Sequence, residues 1–408
     1  MAKTNVYNIG VFMWFNNDIA CYAENNYNIN KLYCDKYGYT LIKSNERLYP
    51  ERKPHWERFT LLLKYFDTFD YLMWIDADAH FFIDSPPISN IINEYPDKIF
   101  IISEDQYAKN PKYEINSGVF IIKSCDEGRD ILNMWGYDNS LFKKMNNYNN
   151  WNDQGILQEM YRLNLLNIYE NSLIIKYGVL QYFYDHDVLP VKLFGLDKKP
   201  FVFHLAGSNK EKRITHSNNY LNSYISSKYG KWINKNIQLS KKVIYDIILE
   251  NENKNLKMLV FGLGYDSDLW YNITKQNTFF VEDNQHYIDL NKDINKNNII
   301  SYSYDGIKVR TTFTLTKQEI NNFVIPQKLL DLAPFDIILI DGPKGYNEDC
   351  PGRFLPIYWS KTLLSHSNTI IYIDDATRNL EKKCINHFFT DNYKSFFNDR
   401  LGTMKIHI

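Results

Sequence analysis

Tyr71-Leu72-Met73-Trp74-Ile75-Asp76-Ala77-Asp78 sets the first half of the fold. Five apolar residues in a row suit a strand buried on both sides. Two carboxylates follow at the strand end, two residues apart. At that spacing both side chains can face one hard divalent cation. A lone Asp-x-Asp is more often a solvated loop. Here Trp74 and Ile75 precede it, and Ala79-His80-Phe81-Phe82 returns to apolar character.

On either side of this stretch the chain alternates strand and helix patterns. Strands are expected at 6–14, 39–43, 71–75, 98–103, 118–123 and 201–205. Helices are expected up to Tyr37, where Gly38 ends the pattern, and at 55–66, 127–135 and 153–163. Strands alternating with helices imply an α/β fold with a mostly parallel sheet covered on both faces. From Tyr220 to Asn255 the chain is polar and helical, with Val243, Ile244, Ile247 and Ile248 on one face. A second strand series follows at 257–261, 278–281, 299–302, 336–340 and 369–373, closed by 395–398 and 404–408. Five strands with intervening helices and a C-terminal strand pair is the order of a class I methyltransferase sheet. The expected division is a first domain at 1–219, a helical linker at 220–255 and a second domain at 256–408.

Three further segments stand where a metal-bound nucleotide sugar needs them. Asn116-Ser117-Gly118 opens an apolar strand. Trp151-Asn152-Asp153-Gln154-Gly155 starts a helix with polar side chains at its turn. Phe201-Val202-Phe203-His204 ends a strand in a histidine. A strand-end histidine is usually just hydrogen-bonded; after a carboxylate pair, a third metal ligand is the better reading. With Lys31-Leu32-Tyr33-Cys34, Tyr37-Gly38-Tyr39 and Trp56-Glu57-Arg58, these segments resemble the retaining glycosyltransferases that include galactomannan galactosyltransferases, xyloglucan xylosyltransferases and yeast-type mannosyltransferases. The resemblance implies a GT-A fold, a UDP- or GDP-sugar donor and a manganese or magnesium ion on Asp76, Asp78 and His204. It places Gln154 near the anomeric carbon, beside Asp153, with Arg58 and Asn116 as substrate contacts. Arg58 stands where the family usually has Lys.

The second constellation begins at Phe261-Gly262-Leu263-Gly264. Glycines at a strand end let the backbone approach an adenosyl ligand closely, although a lone Gly-x-Gly is as often an ordinary turn. Glu282 and Asp283 end the next strand, where an acid can accept from ribose hydroxyls. Asp266 and Ser267 are candidates for the amino-acid end of the same ligand. Asp341, Asp374 and Asp375 sit at two later strand ends, on the edge where open α/β sheets bind ligands. Such a trio can hold a second divalent metal or act as a base; the bland readings are a helix cap and a turn. Together with Ile340-Asp341-Gly342-Pro343-Lys344-Gly345, Pro351-Gly352-Arg353-Phe354 and Tyr372-Ile373-Asp374-Asp375-Ala376-Thr377-Arg378, these motifs look like the glucuronoxylan 4-O-methyltransferase family. That resemblance implies a Rossmann-like fold, S-adenosylmethionine as methyl donor and a sugar hydroxyl, typically on a uronate, as acceptor. It makes Arg353 the partner of an acceptor carboxylate, and Asp341 or Asp375 the group that orients or deprotonates the hydroxyl.

Composition narrows the classes further. Hydrophobic residues make up 44% of 408, enough for sizeable cores. The 47 basic and 48 acidic residues nearly cancel, which argues against a nucleic-acid binder driven by bulk charge. No apolar run approaches the roughly 18 residues of a spanning helix, and residues 1–10 carry no apolar leader, so no membrane insertion and a cytoplasmic location are expected. The five cysteines are scattered, which suits reduced thiols. The expected function is a bifunctional glycan-building enzyme. One half would transfer a sugar from a nucleotide sugar to a glycan acceptor, and the other would methylate a sugar hydroxyl. Two alternatives stand beside it: a catechol-like small-molecule methyltransferase in the second half, or one half that binds glycan without catalysis.

Overall fold

The computed structural model describes residues 6–106, 108–110, 114–138, 140, 153–183, 200–233, 236–312, 314–364, 368–391, 394–398 and 402–408. Trp151 and Asn152, read as the start of a helix, lie outside these residues. The chain divides into two compact units, Met1–Ser223 and Tyr224–Ile408.

In the first unit, β1 (Ile9–Trp14), β2 (Thr40–Ser44), β3 (Tyr71–Ile75), β5 (Phe100–Glu104), β6 (Ile115–Lys123) and β7 (Ser172–Ile175) form one sheet in the order β2-β1-β3-β6-β5-β7. β1 runs parallel to β2 and β3, whereas β6 is antiparallel to both β3 and β5. Side chains alternate across this sheet. Phe12, Leu72, Trp74 and Phe120 pack on one face with Phe59, Trp135 and Leu157. Val11, Met13, Met73, Ile75 and Ile121 pack on the other with Ala23 and Tyr33 of the helix Ala20–Tyr37. Both faces are covered, which is why β3 reads as an unbroken apolar run. Full burial of each such side chain contributes roughly 1.5–3 kcal/mol. A smaller sheet joins β4 (Ala79–Phe81), β8 (Gln181–Phe183) and β9 (Val202–His204) in the order β4-β9-β8. Its register sets Ala79 opposite His204, so the histidine ends beside the Asp76–Asp78 turn.

In the second unit, β10 (Met258–Phe261), β11 (Thr278–Glu282), β12 (Ile299–Ser301), β13 (Ile337–Ile340), β14 (Ile370–Ile373), β15 (Lys394–Phe397) and β16 (Thr403–His407) form one sheet. The order is β12-β11-β10-β13-β14-β16-β15. The first five strands are parallel, and β16 runs antiparallel between β14 and β15. The winding reverses between β10 and β13, so a crevice opens outside their carboxyl ends.

The stretch read as a linker is corrected in part. Helix Lys241–Asn251 is built into the second unit rather than bridging to it. Val243, Ile244, Ile247 and Ile248 are buried, as their spacing predicts. The polar side is also tied down. Asp246 accepts from the Tyr372 hydroxyl at 2.6 Å and pairs with Lys405 at 2.7 Å, and Glu250 meets the same lysine at 3.0 Å. Of the five free cysteines, Cys34 and Cys384 are buried, Cys125 and Cys350 half-buried and Cys21 exposed. Among the described residues no helix is long and apolar enough to cross a membrane.

Candidate active sites

A cavity of about 380 Å³ lies at the end of β3 in the first unit. Asp76, Asp78 and His204 converge there, with one ligand atom from each lying within 4.8 Å of the others. Their orientation is fixed from outside. Arg58 Nη2 and Trp74 Nε1 take one oxygen of Asp76, at 3.2 and 2.7 Å. Arg213 Nη2 takes one oxygen of Asp78, at 2.6 Å. Each carboxylate therefore turns its other oxygen toward His204 Nε2, at 3.8 Å for Asp76 and 3.3 Å for Asp78. The far nitrogen of the ring, Nδ1, sits 3.0 Å from Gln181 Oε1. Gln181 spends its amide hydrogens on the Asn116 carbonyl and side-chain oxygens, at 3.3 and 3.2 Å. Nδ1 is thus the donor, which leaves Nε2 to face the carboxylates.

Burial and neighbouring charges act in opposite directions on each of these groups. Burial pushes the Asp76 carboxyl up, against the pull of Arg58. Burial also opposes ionisation of Asp78, but His204 and Arg213 outweigh it and hold that carboxyl low. For His204 burial opposes the charge, yet Asp78 and Asp76 raise its proton affinity.

The remaining residues of the first reading surround this cluster in different ways. Arg58 is only 4% exposed. Its donors go to Asp76, to Asp153 at 2.9 Å, and to the Ser117 and His55 carbonyls at 2.9 and 3.1 Å. The guanidinium therefore orients two carboxylates from the cavity lining. Asp153 lies behind it, buried, and burial raises its carboxyl. Gln154 lines the cavity, accepting from Ser117 N at 3.1 Å and donating to Asp105 at 3.3 Å. The Asn116 side chain accepts from Gly118 N at 3.0 Å, so its carbonyl braces the strand opening. Sequence reasoning missed Gln181, Arg213 and His55. No motif marks them: His55 and Arg213 line the cavity from beside Arg58 and beyond His204, and Gln181 acts behind the His204 ring.

The second unit carries a cavity of about 430 Å³ at the carboxyl ends of β10, β13 and β14. Gly262 has φ +113, a region open mainly to glycine, and a side chain there would meet Gly342 N at 3.1 Å. The two loops therefore pass backbone against backbone. Glu282 accepts from Leu263 N at 2.6 Å and from Asn284 N at 2.7 Å, which stiffens the glycine turn. Asp283 is exposed at the cavity wall, and Asp266 lines it while accepting from Trp270 Nε1 at 2.7 Å. Burial pushes Glu282 up to about 7, Asp341 to about 6 and Asp374 to about 7.

Residues 308–404 match the family model described as IRX15/IRX15L/GXM. This range holds Asp341, Arg353, Asp374 and Asp375. Glucuronoxylan 4-O-methyltransferase 3 of Arabidopsis thaliana is 28% identical over 189 residues, covering 40% of this chain and 60% of the relative. The chain thus spans less than two thirds of that relative's length. Probable glycosyltransferase 6 of Oryza sativa subsp. indica is 26% identical over 110 residues, 25% of this chain and 22% of the relative. A solved glycosyltransferase involved in glycosylation of the major capsid of PBCV-1 is 16% identical, with a TM-score of 0.40, covering 52% of this chain and 99% of that one.

The geometry of the second cavity bears on three readings. Arg353 is only 4% exposed, and both terminal nitrogens of its guanidinium bond the cavity floor, while Nε has no hydrogen-bond partner among the described residues. It bonds the Asp374 carbonyl, the Asp341 carbonyl at 2.5 Å and the Asp375 carboxylate at 2.8 Å. It thus braces the floor while still lining the cavity. The same guanidinium sits where a second metal on Asp341, Asp374 and Asp375 was expected, and among the described residues those carboxylates form no metal-ligand cluster. Ser267 is buried away from the cavity, and its hydroxyl accepts from Gly264 N at 2.8 Å, so it closes the glycine turn. Asp375 holds φ +55, uncommon for a residue with a side chain, and grips Arg353 and, at 2.7 Å, Arg378.

Proposed function

We propose that the chain is a bifunctional glycan-building enzyme, with sugar transfer in the first unit and S-adenosylmethionine-dependent methylation of a sugar hydroxyl in the second. Sugar transfer rests on the convergence of Asp76, Asp78 and His204 with one oxygen of each carboxylate held by an arginine. Two carboxylate oxygens and one imidazole nitrogen suit a divalent cation of manganese or magnesium type. Such an ion, when bound, neutralises the charge that gathers on a leaving diphosphate. Arg58, Arg213 and Gln181 keep the three ligands aimed. Gln154, on the cavity wall, is the side chain assigned to the transferred sugar.

Methyl transfer rests on the family match falling on the loop and helix that wall an acid-lined cavity above Gly262-Leu263-Gly264. The β12-β11-β10-β13-β14-β16-β15 order supports a class I methyltransferase fold. A sulfonium is a cation, and this floor of carboxylates favours it. Glu282 and Asp283 are assigned to the ribose, and Asp266 to the amino-acid end. The acceptor oxygen forms a bond to the methyl carbon as the carbon–sulfur bond breaks and its electron pair passes to sulfur. The hydroxyl proton must leave in that step. Asp341 and Asp374, lifted toward neutral pH by burial, are better suited to receive it than Asp375, which two guanidiniums hold. Pairing of these carboxylates with Arg353 supports the sugar reading over the catechol one.

A screen of UDP- and GDP-sugars with manganese, read by nucleotide release, tests the first half. Calorimetry with S-adenosylmethionine tests the second. Nucleotide release that persists in a folded Asp78→Ala protein would overturn the metal assignment. Absence of S-adenosylmethionine binding by the full chain would overturn the methyltransferase assignment.

A further inference from the structure

We propose that His55 and Asp153 clamp one hydroxyl of the transferred sugar in the first cavity, so that the site rejects a sugar lacking it. This deepens the sugar-transfer reading and rests on it. Both side chains line the cavity that holds Asp76, Asp78 and His204. His55 Nε2 is buried and, among the described residues, has no hydrogen-bond partner. It stands 3.9 Å from Asp153 Oδ1, too far to bond it. Asp153 is only 3% exposed, and its other oxygen is held by Arg58 Nη1 at 2.9 Å and by Ser117 Oγ at 3.4 Å. The His55 ring is also held in place. Its own carbonyl accepts from Arg58 Nε at 3.1 Å, and the ring lies against Trp56 with centroids 5.6 Å apart.

A buried nitrogen without a partner forfeits a hydrogen bond, and a ligand restores it. The distance decides what fits. A hydroxyl oxygen about 2.8 Å from both atoms closes a triangle on the 3.9 Å base. That oxygen accepts from Nε2–H, while its own hydrogen goes to Asp153 Oδ1. Burial first, and Arg58 next, lower the His55 imidazole to about 4, so the ring is neutral at neutral pH. Burial raises the Asp153 carboxyl, while the Arg58 guanidinium favours its ionised, accepting form. A neutral N–H beside a carboxylate matches an uncharged hydroxyl and disfavours a phosphate, which the carboxylate repels. Gln154, next in the chain, lines the same wall and is assigned to the transferred sugar, so the hydroxyl is assigned to that sugar as well.

The test uses the full chain with manganese and UDP-glucose, UDP-galactose, UDP-xylose and GDP-mannose, read by nucleotide release. The donor with the highest kcat/KM is then compared with its monodeoxy analogues. Removing a hydroxyl that buried groups bind leaves those groups unpaired, which lowers kcat/KM by about a hundredfold or more. One monodeoxy analogue should show that loss, and the others much less. In His55→Phe and His55→Ala the parent donor should fall roughly tenfold or more, while that analogue changes little. His55→Gln, which keeps an N–H, should recover part of the discrimination. Affinity for the parent nucleotide with manganese, measured by calorimetry, should stay unchanged, because the free nucleotide carries no sugar. Weaker nucleotide binding, or an equal loss for the parent and every analogue, would make His55 a structural residue and overturn the clamp. Unchanged hydrolysis in both His55→Phe and His55→Ala would overturn it too, and either result leaves the sugar-transfer reading standing. Absence of nucleotide release from all four donors by the natural protein would overturn both.

Discussion

A side-chain carbon on Gly118 would stand 2.1 Å from His204 Cε1, so the imidazole lies flush against the backbone of β6. The same glycine's carbonyl accepts from Asp76 N at 2.8 Å. One residue thus places both the carboxylate and the ring it faces. Gly118→Ala must displace His204, because the strand backbone cannot yield that far. Overpacking of this kind costs about 1–3 kcal/mol. The variant should stay folded but bind manganese at least tenfold more weakly, as measured by calorimetry. Unchanged metal affinity would separate His204 from the site.

Gln181 acts on the metal ligands through His204 alone. Losing an outer partner of a ligating histidine typically lowers metal affinity about 10–100-fold. Gln181→Leu should show that loss, whereas Gln181→Glu, which keeps an acceptor for Nδ1–H, should recover much of it. Manganese titration of the two variants is the check. Equal affinities would mean that the ring orientation is set elsewhere.

The second cavity should make the protein respond to pH. In the folded chain burial lifts Glu282 to about 7, Asp374 to about 7 and Asp341 to about 6, above their ordinary values of 4.5, 3.8 and 3.8. Between those limits the folded state binds more protons than the unfolded one. Their contribution to stability is therefore full below about pH 4 and is lost as pH rises through 6 to 7. Protection factors for peptides covering β10, β13 and β14, taken against the intrinsic exchange rate at each pH, should be higher at pH 5 than at pH 8, and Asp374→Asn should flatten the difference. S-adenosylmethionine should bind in the opposite sense, tightening as these carboxylates ionise. A cofactor affinity that is flat from pH 5 to pH 8 would count against the acid floor as its seat.

What the sequence made legible was whatever a short run of neighbours encodes. β3 and the Asp76–Asp78 turn could be read because burial on both faces demands an unbroken apolar run before the polar pair. The β10 turn could be read because Gly262 must come close to another backbone. The orientation of single side chains was not legible. Arg58 and Arg353 look like substrate-facing cations in sequence, yet each also grips carboxylates from other elements. Ser267 lies on the buried side of its turn, a matter of helix phase. Gln181 and Arg213 reach the Asp76–His204 cluster only through pairings of the folded chain. Helix Lys241–Asn251 reads as linker because its anchors, Tyr372 and Lys405, lie more than a hundred residues downstream.

Arg353 holds the floor of the second cavity together. Its guanidinium bridges Asp341, Asp374 and Asp375 at once, through two backbone carbonyls and a carboxylate. A lysine ammonium keeps the charge but lacks the planar fork that spans these partners. Breaking a buried ion pair while its carboxylates remain costs about 3–5 kcal/mol. For a body the size of the second unit that is on the order of 10 °C in the unfolding midpoint. Arg353→Lys should therefore lower the thermal midpoint and weaken S-adenosylmethionine binding, because the floor loses its shape. It should not act selectively on the KM for an acidic acceptor. Thermal unfolding of the full chain, followed alongside cofactor calorimetry, distinguishes the two roles. An Arg353→Lys protein with an unchanged midpoint and a raised KM for glucuronate alone would show the guanidinium turning outward to meet the acceptor.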